Sequence, residues 1–200
     1  MSKTRDLSPD LFSGETCHLL GGGPSIRNLD LQAIEGDRVI AINNAGLDVY
    51  PEADILFAMD ERWFNWNRDR LHLNRSRWRV VRFSHKPSFD LPWPLIGIAH
   101  DKYGEFSRSL GALAGSSGGA MALNLAALLG ASRIVLHGFD MRPGNYHSDH
   151  RVATPDKVYP ERFIPSFEKM APHLADLGID VFNATPGSAL TCFPQLEPPP

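Results

Sequence analysis

Four segments of this chain are apolar almost without a break, and each ends on a small, amide or acidic residue. Thr16–Leu20 runs into Gly21, Arg38–Ile42 into Asn43, Ala53–Met59 into Asp60 and Arg133–His137 into Gly138. A strand with one wet face alternates apolar and polar residues, whereas an unbroken apolar run is covered on both faces, as in a parallel sheet between helical layers. Arg79–Phe83, Leu95–Ala99 and Ile179–Phe182 are further strand candidates. Between them, Ile26, Leu29 and Ala33 recur at about one turn and predict a short helix over 26–34. Glu61–Leu73 also reads as helical. Ala120–Leu129 is almost wholly apolar and small and predicts a buried helix closed by Gly130. Tyr159–Leu177 predicts a long amphipathic helix that Pro165 and Pro172 interrupt or kink. The pattern as a whole predicts an α/β, Rossmann-like fold: a mostly parallel sheet with helices on both faces, in a single domain.

Two hundred residues with 42% hydrophobic content support one core. Residues 1–14 read as a flexible leader, 15–194 as the domain and 195–200, ending in three prolines, as a disordered tail. A net charge of −3 gives no global attraction to nucleic acid or anionic lipid. No apolar run is long enough to span a membrane, and the first residues lack the apolar core of a signal peptide. Cys17 and Cys192 form neither a disulfide framework nor a CxxC site, which suits a cytoplasmic protein. Residues 84–114 are rich in Pro and Gly and predict a long irregular excursion of the kind that serves as a lid or binding loop.

The strand ends carry the candidate site. Gly21-Gly22-Gly23-Pro24-Ser25 follows the first strand, in an order that suits a tight turn into a helix start with bare N–H groups facing an anion. In an open parallel sheet the carboxyl ends of the strands share one edge, so Asn43, Asn44, Asp60 and Gly138-Phe139-Asp140 are expected beside that loop. Ser116-Ser117-Gly118, at the start of the buried helix, adds hydroxyls and a second set of free N–H groups. The combination predicts a nucleotide or nucleotide-sugar site, with phosphates on the amides of Gly22, Gly23 and Ser25 and with ribose or base on the asparagines. Neither G-x-x-x-x-G-K-[ST] nor G-x-G-x-x-G is present, so the nucleotide is held by another scheme.

The segment after Asp140 holds the titratable groups. His137, His147 and His150 fall close to Asp140 and Asp149. His147 and His150 are candidate bases toward an acceptor hydroxyl, with Asp140 beside them, and His147, Asp149 and His150 are also a plausible ligand set for a metal. His137 lies within a strand and reads as a core histidine. Arg62–Arg82 interleaves seven arginines with Trp63, Trp66 and Trp78. It reads foremost as a solvated helix with its tryptophans turned inward, and alternatively as a face for a phosphate-bearing or sugar acceptor. Gly115-Ser116-Ser117-Gly118-Gly119 formally fits G-x-S-x-G, which admits a serine hydrolase using Ser117; that motif needs a strand directly before it, and none is expected over 109–114.

Gly21-Gly22-Gly23-Pro24-Ser25-Ile26 resembles the G-x-G-P-S-L loop of the archaeal 6-hydroxymethylpterin pyrophosphokinase-like family, and bacterial lipooligosaccharide sialyltransferases carry a similar loop. Ser116 to Ala122, continuing through Leu129-Gly130-Ala131 to Ile134–Asp140, resembles the sialyltransferases' block of a serine-glycine turn, a small-residue helix and G-x-x-x-I-x-L-x-G-x-D. Asn43 matches an asparagine that both families place after the second strand. The close of the chain, Asn183 to Pro194, resembles small, often phage-encoded members of the pyrophosphokinase-like family. The resemblance implies a Rossmann-like transferase that binds a nucleotide-linked donor over the glycine loop and acts on a small-molecule or glycan acceptor. On the sialyltransferase side it implies a CMP-sugar and a histidine base, matched here by His147 or His150. On the pterin side it implies ATP, Mg²⁺ and pyrophosphoryl transfer, with Asp60 matching the first metal-holding acid. Met59-Asp60-Glu61-Arg62 departs from that family's paired aspartates. A non-catalytic protein that binds or sequesters a nucleotide is the remaining alternative.

Overall fold

The structure is a computed structural model and describes residues 7–82, 91, 93–148 and 154–196. Eight strands form one sheet: β1 Thr16–Leu20, β2 Arg38–Ile42, β3 Ile55–Ala58, β4 Trp78–Arg82, β5 Ile96–Asp101, β6 Ala112–Ala114, β7 Arg133–His137 and β8 Asp180–Asn183. Their order across the sheet is β6-β5-β4-β3-β2-β1-β7-β8, and all seven pairings are parallel. The chain winds outward from β1 to β6, then crosses back to lay β7 on the other side of β1. The strand order therefore reverses between β1 and β7, and that is where an open α/β sheet leaves a crevice at its carboxyl edge.

The unbroken apolar runs are buried on both faces, as their lack of alternation requires. Cys17 and Leu19 of β1, Ile40 of β2 and Ile134 and Leu136 of β7 face one layer. They pack there against α3 (Gly118–Leu128) and α4 (Ile164–Asp176). Ala120 through Ala126 are all buried, because small side chains let α3 settle close onto the sheet. Leu20, Val39 and Ala41 face the opposite layer. That side is covered by 3-10 turns at Pro24–Asn28 and Gln32–Ile34, by α1 (Ala45–Asp48) and by α2 (Arg62–Trp66) with the 3-10 turn Arg68–Leu73 behind it. The fold is thus the Rossmann-like α/β arrangement expected, with helices on both faces.

Several local expectations are corrected. The helix expected over 26–34 is two 3-10 turns: Leu29 takes an extended conformation (φ −65°, ψ 123°), and Asp30 Oδ1 accepts from Gln32 N at 2.9 Å to start the second. The helix expected from Glu61 to Leu73 breaks at Asn67 (φ −107°, ψ 16°). Within the irregular excursion expected over 84–114, the strand candidate Leu95–Ala99 is β5, and β6 is a further strand that was not expected, although residues 83–90 and 92 lie outside the described residues. Of the leader expected at 1–14, residues 1–6 lie outside the described residues, but Phe12 is fully buried in the main core. Phe12 N donates to Leu129 O at 2.7 Å and Gly14 N to Gly130 O at 3.0 Å, so this segment closes over the end of α3. At the other end, Leu196 N donates to Asn183 O at 3.0 Å, so order reaches past the expected start of the tail, while 197–200 lie outside the described residues. The long helix expected over 159–177 begins as a π-turn (Tyr159–Phe163) that runs directly into α4, with Pro165 just after the junction and Pro172 inside α4.

Candidate functional site

A cleft of about 400 Å³ opens at the carboxyl edge of β1, β2, β3 and β7. The glycine loop, Gly138–Asp140, Asn43, Asn44, residues of the Met59–Asn67 segment and the Ser117–Gly119 start of α3 line it. The sheet has therefore brought together residues from five distant segments. Gly21, Gly22, Gly23, Asn43, Asn44, Asp60, Ser117, Gly118, Gly138, Asp140 and His147 all line it.

The chemistry of the glycine loop differs from the expected phosphate cradle. Gly21 N donates to His137 O at 2.8 Å and Gly23 N to Gly138 O at 2.9 Å, so both amides continue the β1–β7 ladder. Ser25 is turned inward: its Oγ donates to Asp140 Oδ2 at 2.7 Å, and its N–H faces the same oxygen at 3.4 Å. An internal carboxylate thus occupies the anion position that the sequence assigned to a phosphate. A Cβ added at Gly23 would lie 1.9 Å from Asp140 Oδ2, so only glycine allows this carboxylate so close. Ser25 and Pro24 do not line the cleft, and of the loop's amides Gly22 N–H alone has no partner among the described residues. Asp140 is thus bonded to the loop through Ser25, and it lines the cleft together with His147.

The second helix start also divides its residues. Ser116 faces away: its Oγ donates to Arg162 O at 2.7 Å and its N–H to Ser166 Oγ at 3.0 Å, which ties α3 to the start of α4. Ser117 caps α3, its Oγ accepting from Ala120 N at 3.2 Å. The N–H groups of Gly118 and Gly119 remain in the first turn, where a helix has no internal acceptors and its dipole is positive. The structure also supplies the strand before this turn that the sequence did not show, since β6 ends at Ala114. Ser117 nevertheless has an ordinary extended backbone (φ −140°), not the strained elbow of a nucleophile, and among the described residues no histidine bonds its hydroxyl.

Asn43 holds a left-handed backbone (φ 53°) at the end of β2, a conformation uncommon outside glycine that concentrates at ligand sites. Its N–H donates to Phe57 O at 2.9 Å, while its side-chain amide lines the cleft without a partner among the described residues. Asp60 is paired with Arg62, whose Nε lies 3.0 and 2.8 Å from the two carboxylate oxygens. Partial burial pushes the Asp60 carboxyl up, but the Arg62 side chain and backbone N–H, acting together, hold it below the usual range. Among the described residues no three His, Cys, Asp or Glu side chains gather to hold a metal. Asp60, turned onto Arg62, therefore does not fit the expected Mg²⁺ ligand.

The segment after Asp140 is fastened across the mouth. Tyr146 N donates to Gly22 O at 3.1 Å, Arg27 hydrogen-bonds Tyr146 O, and Tyr146 Oη donates to Asp48 Oδ2 at 3.3 Å. This places His147 at the cleft, its ring edge-on to Tyr146 with centroids 4.7 Å apart. His150 and Asp149 lie outside the described residues. His137 is a packed histidine, as read, bonded to His18 across 2.9 Å. Sequence reasoning weighed α2 mainly as a solvated helix, yet Arg62, Trp63 and Trp66 line the cleft; the arginine–tryptophan interleaving was the available signal. Arg142 and Tyr159, also in the lining, carried no sequence signal of their own.

No protein-family model matches the chain, and no curated protein matches it. Solved structures do. The sialyltransferase CstII from Campylobacter jejuni, in complex with the substrate analogue CMP-3FNeuAc, superposes with a TM-score of 0.58 at 14% identity over 92% of this chain and 86% of that one. A CstII structure holding a trisaccharide acceptor and CMP gives 0.57 at 13% identity over 92% and 86%. The monofunctional α-2,3-sialyltransferase Cst-I from the same organism gives 0.57 at 12% identity over 91% and 80%. At this identity the likeness is one of fold, and the chain shares the Rossmann-like architecture of these sialyltransferases through nearly its whole length.

Proposed function

We propose that this protein is a nucleotide-sugar-dependent glycosyltransferase that takes a CMP-linked donor and transfers its sugar to a hydroxyl of a glycan or other small acceptor in the cytoplasm. One observation carries the reading: on a fold shared with sialyltransferases solved with CMP, a cleft sits at the strand-order reversal and is lined by uncommitted hydrogen-bond donors. Donor phosphate is assigned to Gly22 N–H and the first-turn N–H groups of α3, with Asn43 toward the ribose or base. The remainder of the GGGPS loop acts through Asp140, which braces it, rather than by touching phosphate. Arg142 supplies positive charge at the lining. His147 takes the proton of the acceptor hydroxyl as the glycosidic bond to CMP breaks.

The test is thermal and metal-free. CMP should raise the melting temperature in the presence of EDTA, with a shift that grows with ligand concentration. His147→Ala should keep that shift and lose transfer of sugar from a CMP-sugar. Stabilisation by ATP with Mg²⁺ and not by CMP would replace this reading with pyrophosphoryl transfer. CMP binding with no turnover on any acceptor, and no effect of His147→Ala, would leave a binding protein.

A further inference from the structure

Asn44 is 4% exposed, yet it lines the cleft, and its two amide atoms are used unequally. Its Oδ1 accepts from Trp63 Nε1 at 2.7 Å, while its Nδ2 is buried with no hydrogen-bond partner among the described residues. The residue stands at the N-terminus of α1, where an asparagine ordinarily turns Oδ1 onto an N–H of its own helix, and here it makes no such bond. Indole N–H only donates, so the atom facing Trp63 must be the oxygen, and the amide cannot be the other way round. Trp63 is itself 5% exposed and packed edge-on to Phe64, so it holds this orientation rigidly.

A buried NH₂ group without an acceptor is destabilising, and such groups are scarce in native proteins unless something else satisfies them. The surroundings indicate what does. A Cβ at Gly118 would meet Ile42 Cγ2 at 3.4 Å, so the positive start of α3 lies against the end of β2, just before Asn43 and Asn44. Donors gathered around a cleft wall call for an oxygen acceptor, and the helix start favours a charged one.

We infer that Asn44, held by Trp63, donates its amide NH₂ to an anionic oxygen of the bound donor, either the phosphate or a sugar carboxylate. This rests on the glycosyltransferase reading above. Asn44 is then a recognition residue, and Trp63 a positioning residue that fixes which end of the amide the ligand meets.

Isothermal titration of cytidine, CMP and CMP-3FNeuAc into wild type, Asn44→Asp and Trp63→Phe tests this. Asn44→Asp still accepts from Trp63 but offers no donor, and should weaken anionic-ligand binding about tenfold to a hundredfold. Trp63→Phe frees the amide to rotate and should weaken the same ligands less, roughly threefold to tenfold, with cytidine binding unchanged. Loss on CMP and CMP-3FNeuAc alike assigns the oxygen to phosphate; loss on CMP-3FNeuAc alone assigns it to the carboxylate. Wild-type affinity of Asn44→Asp for all three, or an equal loss that includes cytidine, overturns the proposal. Wild-type protein that binds none of the three overturns the glycosyltransferase reading and this inference with it.

Discussion

At position 23 a hydrogen stands where any other residue would carry a carbon, and the geometry of the loop depends on it. Gly23 has φ −71° and ψ 159°, which alanine adopts freely, so the requirement is one of space. Gly23→Ala would place a methyl 1.9 Å from Asp140 Oδ2 and 2.7 Å from Gly138 O, which evicts the carboxylate from Ser25. We expect a loss of about 2–4 kcal/mol in urea unfolding. Gly22→Ala meets only Asn145 Oδ1 at 3.5 Å, and should change stability by less than about 0.5 kcal/mol. A wild-type midpoint for Gly23→Ala would show that Asp140 does not brace the loop. The sequence identified these glycines as necessary but could not show that Asp140 takes the Ser25 end of the loop. Composition shows that an anion can approach, but not that a carboxylate 115 positions away in the chain already does.

Among the elements, α3 carries the most. Its apolar residues were legible as a buried helix, and one polar residue inside it organises a neighbour. Asn124 is fully buried; its Oδ1 accepts from Ala114 N at 2.9 Å and Ser107 N at 3.2 Å, and its Nδ2 donates to Ser107 O at 3.0 Å. One side chain thus fastens the loop that joins β5 to β6 and sets the short edge strand beside the α3 start. Asn124→Leu keeps the branched shape and orphans two N–H groups and a carbonyl, so it should cost about 3 kcal/mol or more. Amide exchange at Ser107 and Ala114 should accelerate beyond that of the sheet centre, and uniform protection in the variant would contradict this role. Residues 84–114 read as irregular because three-residue β6 leaves almost no periodicity, and its pairing is set by a helix that follows it.

On the scale of the whole molecule, acid should act where the strand order reverses. His18 of β1 and His137 of β7 bridge these two neighbouring strands at 2.9 Å, and His18 Nε2 meets Asp37 Oδ2 at 3.0 Å. Burial pushes the His137 imidazole down to about 4, with His18 adding to the effect, and burial also lowers His18 despite the pull of Asp37. Both native pKa values lie below those of the unfolded chain, so the folded state favours the neutral rings. Their contribution is present above about pH 6.5 and is lost as the pH falls toward about 4. For His137 this amounts to at most about 3 kcal/mol. The melting temperature should fall across that window, and His137→Gln should flatten the decline; an unchanged slope in the variant would place the acid sensitivity elsewhere.

The sequence by itself determined the fold class and the edge of the sheet on which the site lies. Unbroken apolar runs can be satisfied only between two helical layers, and parallel strands put their carboxyl ends on one side. That sufficed to gather Gly22, Asn43, Gly118 and His147 on one cleft. Tertiary structure alone decided which donors stay uncommitted. Asp140 takes Ser25, Arg62 takes Asp60, Arg162 and Ser166 take Ser116, and Trp63 takes one end of Asn44. Hydrogen-bond capacity belongs to a residue type, but its use is set by whichever partner the fold brings within about 3 Å, and apart from Arg62 beside Asp60 those partners lie far away along the chain.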